Sequence, residues 1–116
     1  MTITRIKPGK RMSEAVRHGN TLYLAGQVAD DANATIEVQT RQVLAAVEKL
    51  LAEAGTSKSN LLTIQVVLAN MGDFAAMNAV YDSWIDPANP PTRATIEARL
   101  AAPGYKIEVI AVAAID

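Results

Sequence analysis

Two charged residues stand where charges are uncommon, and both suit work on a small acid. Arg93 follows Pro90-Pro91-Thr92, so it joins a strand-like run from a stiff loop. Its guanidinium is a planar fork matched to a carboxylate, and each charge-assisted bond of that kind contributes about 1.5–3 kcal/mol. Glu108 interrupts an apolar run, Ile107-Glu108-Val109-Ile110-Ala111. A carboxylate there either faces solvent or sits in a partly buried site where it can take and return a proton. Plainer readings exist: Arg93 as a solvated strand arginine paired with Glu97, and Glu108 as a surface charge beside Lys106. Thr95 shares the face of Arg93 and offers a hydroxyl. Asn78 lies beside the apolar stripe of a helix, placed to hydrogen-bond a neighbour's loop. Gly26 ends a strand where its backbone N–H can approach a ligand closely.

The composition removes many rivals. There is no cysteine, so disulfides, thiolate catalysis and Cys-based zinc or iron sites are excluded. The single histidine, His18, precedes a turn and reads as a surface residue; it leaves no room for His-rich metal sites. The net charge of −1 and pI near 5.8 do not suit a nucleic-acid partner. No apolar run reaches the ~18–20 residues of a membrane helix, and Met1-Thr2-Ile3-Thr4-Arg5 lacks a signal-peptide core. The expectation is a soluble, cytoplasmic chain folding as one domain over residues 1–116.

The elements that must hold these residues follow from periodicity. Thr2 to Ile6 is strand-like and ends at Pro8-Gly9; Ala15–His18 and Thr21–Ala25 flank the turn pair Gly19-Asn20. Ile36, Thr40, Val43, Val47 and Ala54 recur at helical spacing, predicting a helix over about 35–54 with Gly55 as its stop. Leu62, Ile64, Val66 and Leu68 alternate as a strand. Asp73 is a fitting N-cap for a second helix whose apolar stripe is Phe74, Met77, Tyr81 and Trp84. Strands over 92–100 and 106–114 complete the order β-β-β-α-β-α-β-β. The predicted fold is α+β: a two-layer mixed sheet with both helices on one face.

That architecture leaves one sheet face open, yet the strands are apolar on both sides. Val67, Ala69, Ile110 and Val112 cannot all face the helices, so the open face predicts an oligomer. The loop Ala101–Tyr105 is short enough to make the last two strands run antiparallel. With residues 100 and 106 level, Arg93 and Glu108 lie about 17 Å apart along one chain. They can meet only across a subunit boundary.

The motifs resemble a known family. Pro91-Thr92-Arg93-Ala94-Thr95-Ile96-Glu97-Ala98 followed by Lys106-Ile107-Glu108-Val109 looks like the C-terminal signature of the reactive intermediate deaminases, the RidA family. Tyr23-Leu24-Ala25-Gly26-Gln27-Val28 and Asp73-Phe74-Ala75-Ala76-Met77-Asn78-Ala79-Val80-Tyr81 look like two upstream segments of it. The resemblance implies a chorismate-mutase-like fold, a homotrimer with clefts between subunits, and hydrolysis of 2-imino acids or their enamine tautomers to 2-keto acids and ammonia. It implies no cofactor or metal, since an imine is already electrophilic. The arginine matching Arg93 clamps the substrate carboxylate and the glutamate matching Glu108 handles the attacking water. Thr95, Asn78 and Gly26 match cleft positions. Two departures stand out. Met12 replaces a frequent tyrosine and Ala25 a serine, so two hydroxyls are lost and the substrate range or turnover shifts. Two other readings remain: a non-catalytic receptor for small carboxylates, and a ribonuclease or translation inhibitor.

Overall fold

A computed structural model describes residues 1–116. In chain order the elements are β1 (Ile3–Pro8), β2 (Ser13–His18), β3 (Thr21–Leu24), β4 (Gln27–Val28), α1 (Ile36–Glu53), β5 (Leu61–Leu68), α2 (Phe74–Trp84), β6 (Thr92–Glu97) and β7 (Ile107–Ala114). All strands join one seven-stranded mixed sheet, and the two helices cover one face of it. The predicted α+β, two-layer arrangement is the one observed. No helix is long and apolar enough to cross a membrane.

Local chemistry accounts for most boundaries. Thr35 caps α1, its Oγ1 accepting from the Val38 N–H at 3.3 Å. Gly55 ends the helix at φ +83°, a region that excludes most side chains. Gly19, at φ +63°, makes the β2–β3 turn. Asp73 stands at the N-cap of α2, but its side chain caps nothing. Asn70 fills that role one turn earlier, its Oδ1 accepting from Gly72 N at 2.8 Å. β4 is an addition to the expected order. The ladder of β3 against β7 stops at Tyr23↔Val112 and resumes at Gln27↔Val109, so Ala25-Gly26 form an unpaired break that a periodicity reading runs through.

The core lies between the helices and the sheet. Ile64, Val66 and Leu68 of β5 and Val109 and Ala111 of β7 meet Val43, Val47 and Leu51 of α1 and Met77 of α2. Each fully buried Val, Leu, Ile or Met side chain among these contributes about 1.5–3 kcal/mol. One buried polar residue ties the layers together. Gln39 of α1 donates to Gly104 O at 3.0 Å and accepts from Lys106 N at 2.9 Å, which pins the start of β7.

The sheet order, β1-β2-β3-β7-β5-β6, corrects the expected neighbours. β6 and β7 do run antiparallel, but β5 lies between them, parallel to β6 and antiparallel to β7. A short loop is not a hairpin here, because β6 ends at Glu97 and the remaining residues arch across the end of β5. The open face is apolar as expected: Tyr23, Val112, Ile110, Val67 and Ile96 share it. Tyr23 and Ile96 remain 51% and 42% exposed in the single chain, so this face lacks a cover.

Candidate functional site

The candidate residues fall in two clusters on the chain. The first is built on β6 and α2. Arg93 stands opposite Ile64, which stands opposite Ala111, and both of these are buried under the helices. Arg93 therefore faces the helical layer from an edge strand. It is half-buried, and its Nη1 donates to Asn78 Oδ1 at 2.7 Å. Its guanidinium carbon lies 4.7 Å from the centre of the Tyr81 ring and 5.8 Å from that of Phe74. No carboxylate pairs with it: the ion pairs of the chain are Lys7–Glu53 and Lys58–Glu48. The expected partner Glu97 is engaged elsewhere, accepting from Met71 N at 2.8 Å. Thr95 follows on the same face of β6, and its Oγ1 is buried with no hydrogen-bond partner. Such an orphan hydroxyl costs about 1–3 kcal/mol unless something outside the chain satisfies it.

The loop ahead of Arg93 is ordered by one carboxylate. Asp86 accepts from Ser59 Oγ at 2.7 Å, Asn89 Nδ2 at 3.0 Å and Ala88 N at 3.0 Å. Bonds from Asn89, then Ser59, then Ala88 hold its carboxyl below the ordinary 3.8. A folded value below the unfolded one means stability that is present above the unfolded value and lost as pH falls through the folded one. Asp86→Asn is accordingly expected to be less stable than wild type at neutral pH, with that gap closing below about pH 4. Urea midpoints measured across that range check it; a gap independent of pH removes the role assigned to this carboxylate.

The second cluster is built on β7 and the β3–β4 break. Glu108 is half-buried and pairs with Val67 of β5 and Val28 of β4, on the open face. Its carboxylate lies against Gly26: a Cβ at that position would collide with Glu108 Oε2. Gly26 is not at positive φ. It is glycine to leave room for this carboxylate, a reason different from the expected close approach of a ligand. Gly26→Ala is expected to keep the fold, since only a side-chain tip must move, and to displace the Glu108 carboxylate from its present position. A crystal structure of the variant checks it; an unmoved Glu108 removes the spatial role given to this glycine.

The separation of the clusters has a different cause from the one expected. The residue level with Glu108 is Ile96, through Val67, so Arg93 is three residues away along the strands, about 10 Å rather than 17 Å. It is also two strands across and on the opposite face, because an odd offset reverses the side-chain direction. The faces, more than the distance, keep the two charges apart within one chain.

The remaining candidates divide between these places. Asn78 belongs with Arg93, its Oδ1 accepting from the guanidinium within the chain. Ala25 is half-buried beside Gly26, its N–H bound to Glu14 O at 2.8 Å. Met12 is exposed in the β1–β2 turn and lines a surface concavity with Lys7, Lys10, Arg11 and Glu14. Tyr81 and Phe74 read as core residues from their periodicity, yet both face Arg93, and Phe74 is 40% exposed. Their spacing with Asn78, at i, i+4 and i+7, is the signal that connects them.

The same chain pattern occurs in known proteins. The family model described as endoribonuclease L-PSP matches residues 2–115. The chain belongs to that family. A RutC family protein of Haemophilus influenzae is 48% identical, covering 97% of this chain and 98% of that protein. The RutC family protein YoaB of Escherichia coli is 41% identical over 99% of this chain and 100% of that one. Among solved structures, NMB1025 of Neisseria meningitidis, a member of the YjgF protein family, superposes with a TM-score of 0.97 at 37% identity, covering 100% of this chain and 97% of that one. The RidA-type resemblance of the motifs thus holds along the whole chain, and the fold is that of the YjgF and L-PSP proteins.

Proposed function

We propose that the protein hydrolyses small 2-imino acids, or their enamine tautomers, to 2-keto acids and ammonia, in clefts shared by the subunits of a cytoplasmic homotrimer. The observation that carries this reading is Arg93: a partly buried guanidinium held by an amide and two aromatic rings, with no carboxylate of its own. Such a cation is prepared for an external anion of matching shape. The bare apolar face supports the trimer. A head-to-tail ring presents one face of each chain to a different face of the next, so it can bring Arg93 of one subunit to Glu108 of its neighbour.

The chemistry is short. Arg93 grips the substrate carboxylate through N–H groups not bound to Asn78. Glu108 of the neighbouring subunit takes a proton from water as the oxygen attacks the C=N carbon, and returns it to the nitrogen. The Thr95 hydroxyl and the backbone at Gly26 steady the tetrahedral carbinolamine. Glu108 then carries the carbinolamine hydroxyl proton to the nitrogen, the C–N bond breaks, ammonia leaves, and the oxygen left as C=O completes the keto acid. No organic cofactor or metal enters these steps. Met12 and Ala25 supply no hydroxyl where the family often has one, which narrows the polar contacts in the cleft and shifts substrate range or rate.

An assay that generates 2-iminopropanoate in place and follows pyruvate release tests the proposal. Acceleration above the uncatalysed rate supports it. Pyruvate binding without acceleration would mark a carboxylate receptor instead. The family description raises a ribonuclease reading, but the net charge of −1 and single histidine give it little chemistry. RNA cleavage lost on Arg93→Ala would favour it over the imine.

A further inference from the structure

The cradle of Arg93 has an organisation of its own. Phe74, Asn78 and Tyr81 lie at i, i+4 and i+7, so one stripe of α2 faces the guanidinium. The three contacts differ in kind. Asn78 takes one N–H. Phe74 is at the exposed rim and 5.8 Å distant. Tyr81 is buried in the core and its ring centre is nearest, at 4.7 Å. A buried ring cannot swing away, so it sets the level at which the guanidinium rests.

The choice of an aromatic ring has an electrostatic consequence. A cation over a ring face is stabilised by the quadrupole without being neutralised. An Asp or Glu in that place would stabilise Arg93 more strongly, but it would occupy the fork that a ligand needs. The phenol does not become such a competitor. Burial raises the Tyr81 hydroxyl above its ordinary 10.0, outweighing the opposite pull of Arg93, so the ring stays neutral at working pH.

We propose that Tyr81 is a positioning residue for the carboxylate clamp: its buried ring fixes the plane of the Arg93 guanidinium while leaving the charge unpaired, so that the N–H groups not held by Asn78 meet an incoming carboxylate. This rests on the reading of Arg93 as the clamp. The carboxylate adjoins the reacting carbon but keeps its own charge throughout, so a grip on it acts nearly equally on bound substrate and transition state. Loss of such uniform binding raises KM and leaves kcat in place.

Three variants of the full chain test it. Tyr81→Phe keeps the ring and is expected to keep KM within about twofold. Tyr81→Leu removes the ring face and is expected to raise KM for 2-iminopropanoate about tenfold, with kcat changed less than about twofold. Val80→Ala removes a buried side chain from the same helix without touching the guanidinium, and is expected to lower Tm with KM unchanged. A purely structural Tyr81 would behave as Val80 does, losing Tm and keeping KM, and that result overturns the proposal. So does a Tyr81→Phe variant as impaired as Tyr81→Leu, since the ring is then irrelevant. Calorimetric titration with pyruvate separates this from the hydrolysis reading. If wild type binds pyruvate but does not accelerate hydrolysis, that reading falls. A weaker Kd in Tyr81→Leu alone then supports the positioning role, and an equal Kd in all three variants ends it.

Discussion

Replacing Arg93 with alanine is expected to lower kcat/KM for 2-iminopropanoate by about 10²–10⁴-fold, with the assembly intact. The size follows from two charge-assisted bonds of about 1.5–3 kcal/mol each, at 1.4 kcal/mol per tenfold. The fold should survive because Arg93 takes part in no ion pair and its one side-chain hydrogen bond is to Asn78. Arg93→Lys should fall between wild type and alanine. It keeps the charge but loses the planar fork and the stacking on Tyr81 and Phe74. Coupled pyruvate release gives the rates, and sedimentation gives the oligomer. Wild-type turnover in Arg93→Ala, with the same sedimentation, ends the clamp assignment.

A mixing experiment should give the second large effect. Arg93→Ala and Glu108→Gln chains are each expected to be nearly inactive. Unfolded together in equal amounts and refolded, they are expected to recover about a quarter of wild-type activity, because a site joining two chains has one chance in two of a sound arginine and one in two of a sound glutamate. A site contained in one chain recovers nothing, since every chain carries one lesion. The geometry predicts recovery: Arg93 faces the helices and Glu108 faces the open side of the sheet. Activity that stays at the level of the unmixed variants removes the shared cleft, and with it the role given to the open face.

Much of this site was legible from residue order, for reasons that are local. Arg93 was visible because it enters its strand directly from Pro90-Pro91-Thr92, and Glu108 because a charge inside a continuous apolar run is conspicuous. Thr95 was placed with Arg93 by a period of two. The need for a cover on the open face came from apolar residues on both sides of β5 and β7. Tyr81 and Phe74 were not legible as site residues, because an aromatic on a helical stripe looks the same whether it meets a core or a cation. Gln39 was missed for a related reason: a polar residue within an amphipathic helix reads as surface until the partners that bury it are known, and here they lie 65 and 67 residues away.

By itself the amino-acid order determined the two helices, the turn at Gly19 and the stop at Gly55, the alternation of the strands except at the bulge that buries Leu61 and exposes Leu62, and which residues could grip an acid. These depend on contacts within a few residues of the chain. Only the tertiary structure decided that β5 separates β6 from β7, that Asn78 and Tyr81 seat Arg93, and that Glu108 lies in the space Gly26 leaves free. Strand order and register are set by hydrogen-bond ladders between distant segments. Any strand offers the same donors and acceptors to any other, so the choice belongs to the packing of the whole chain.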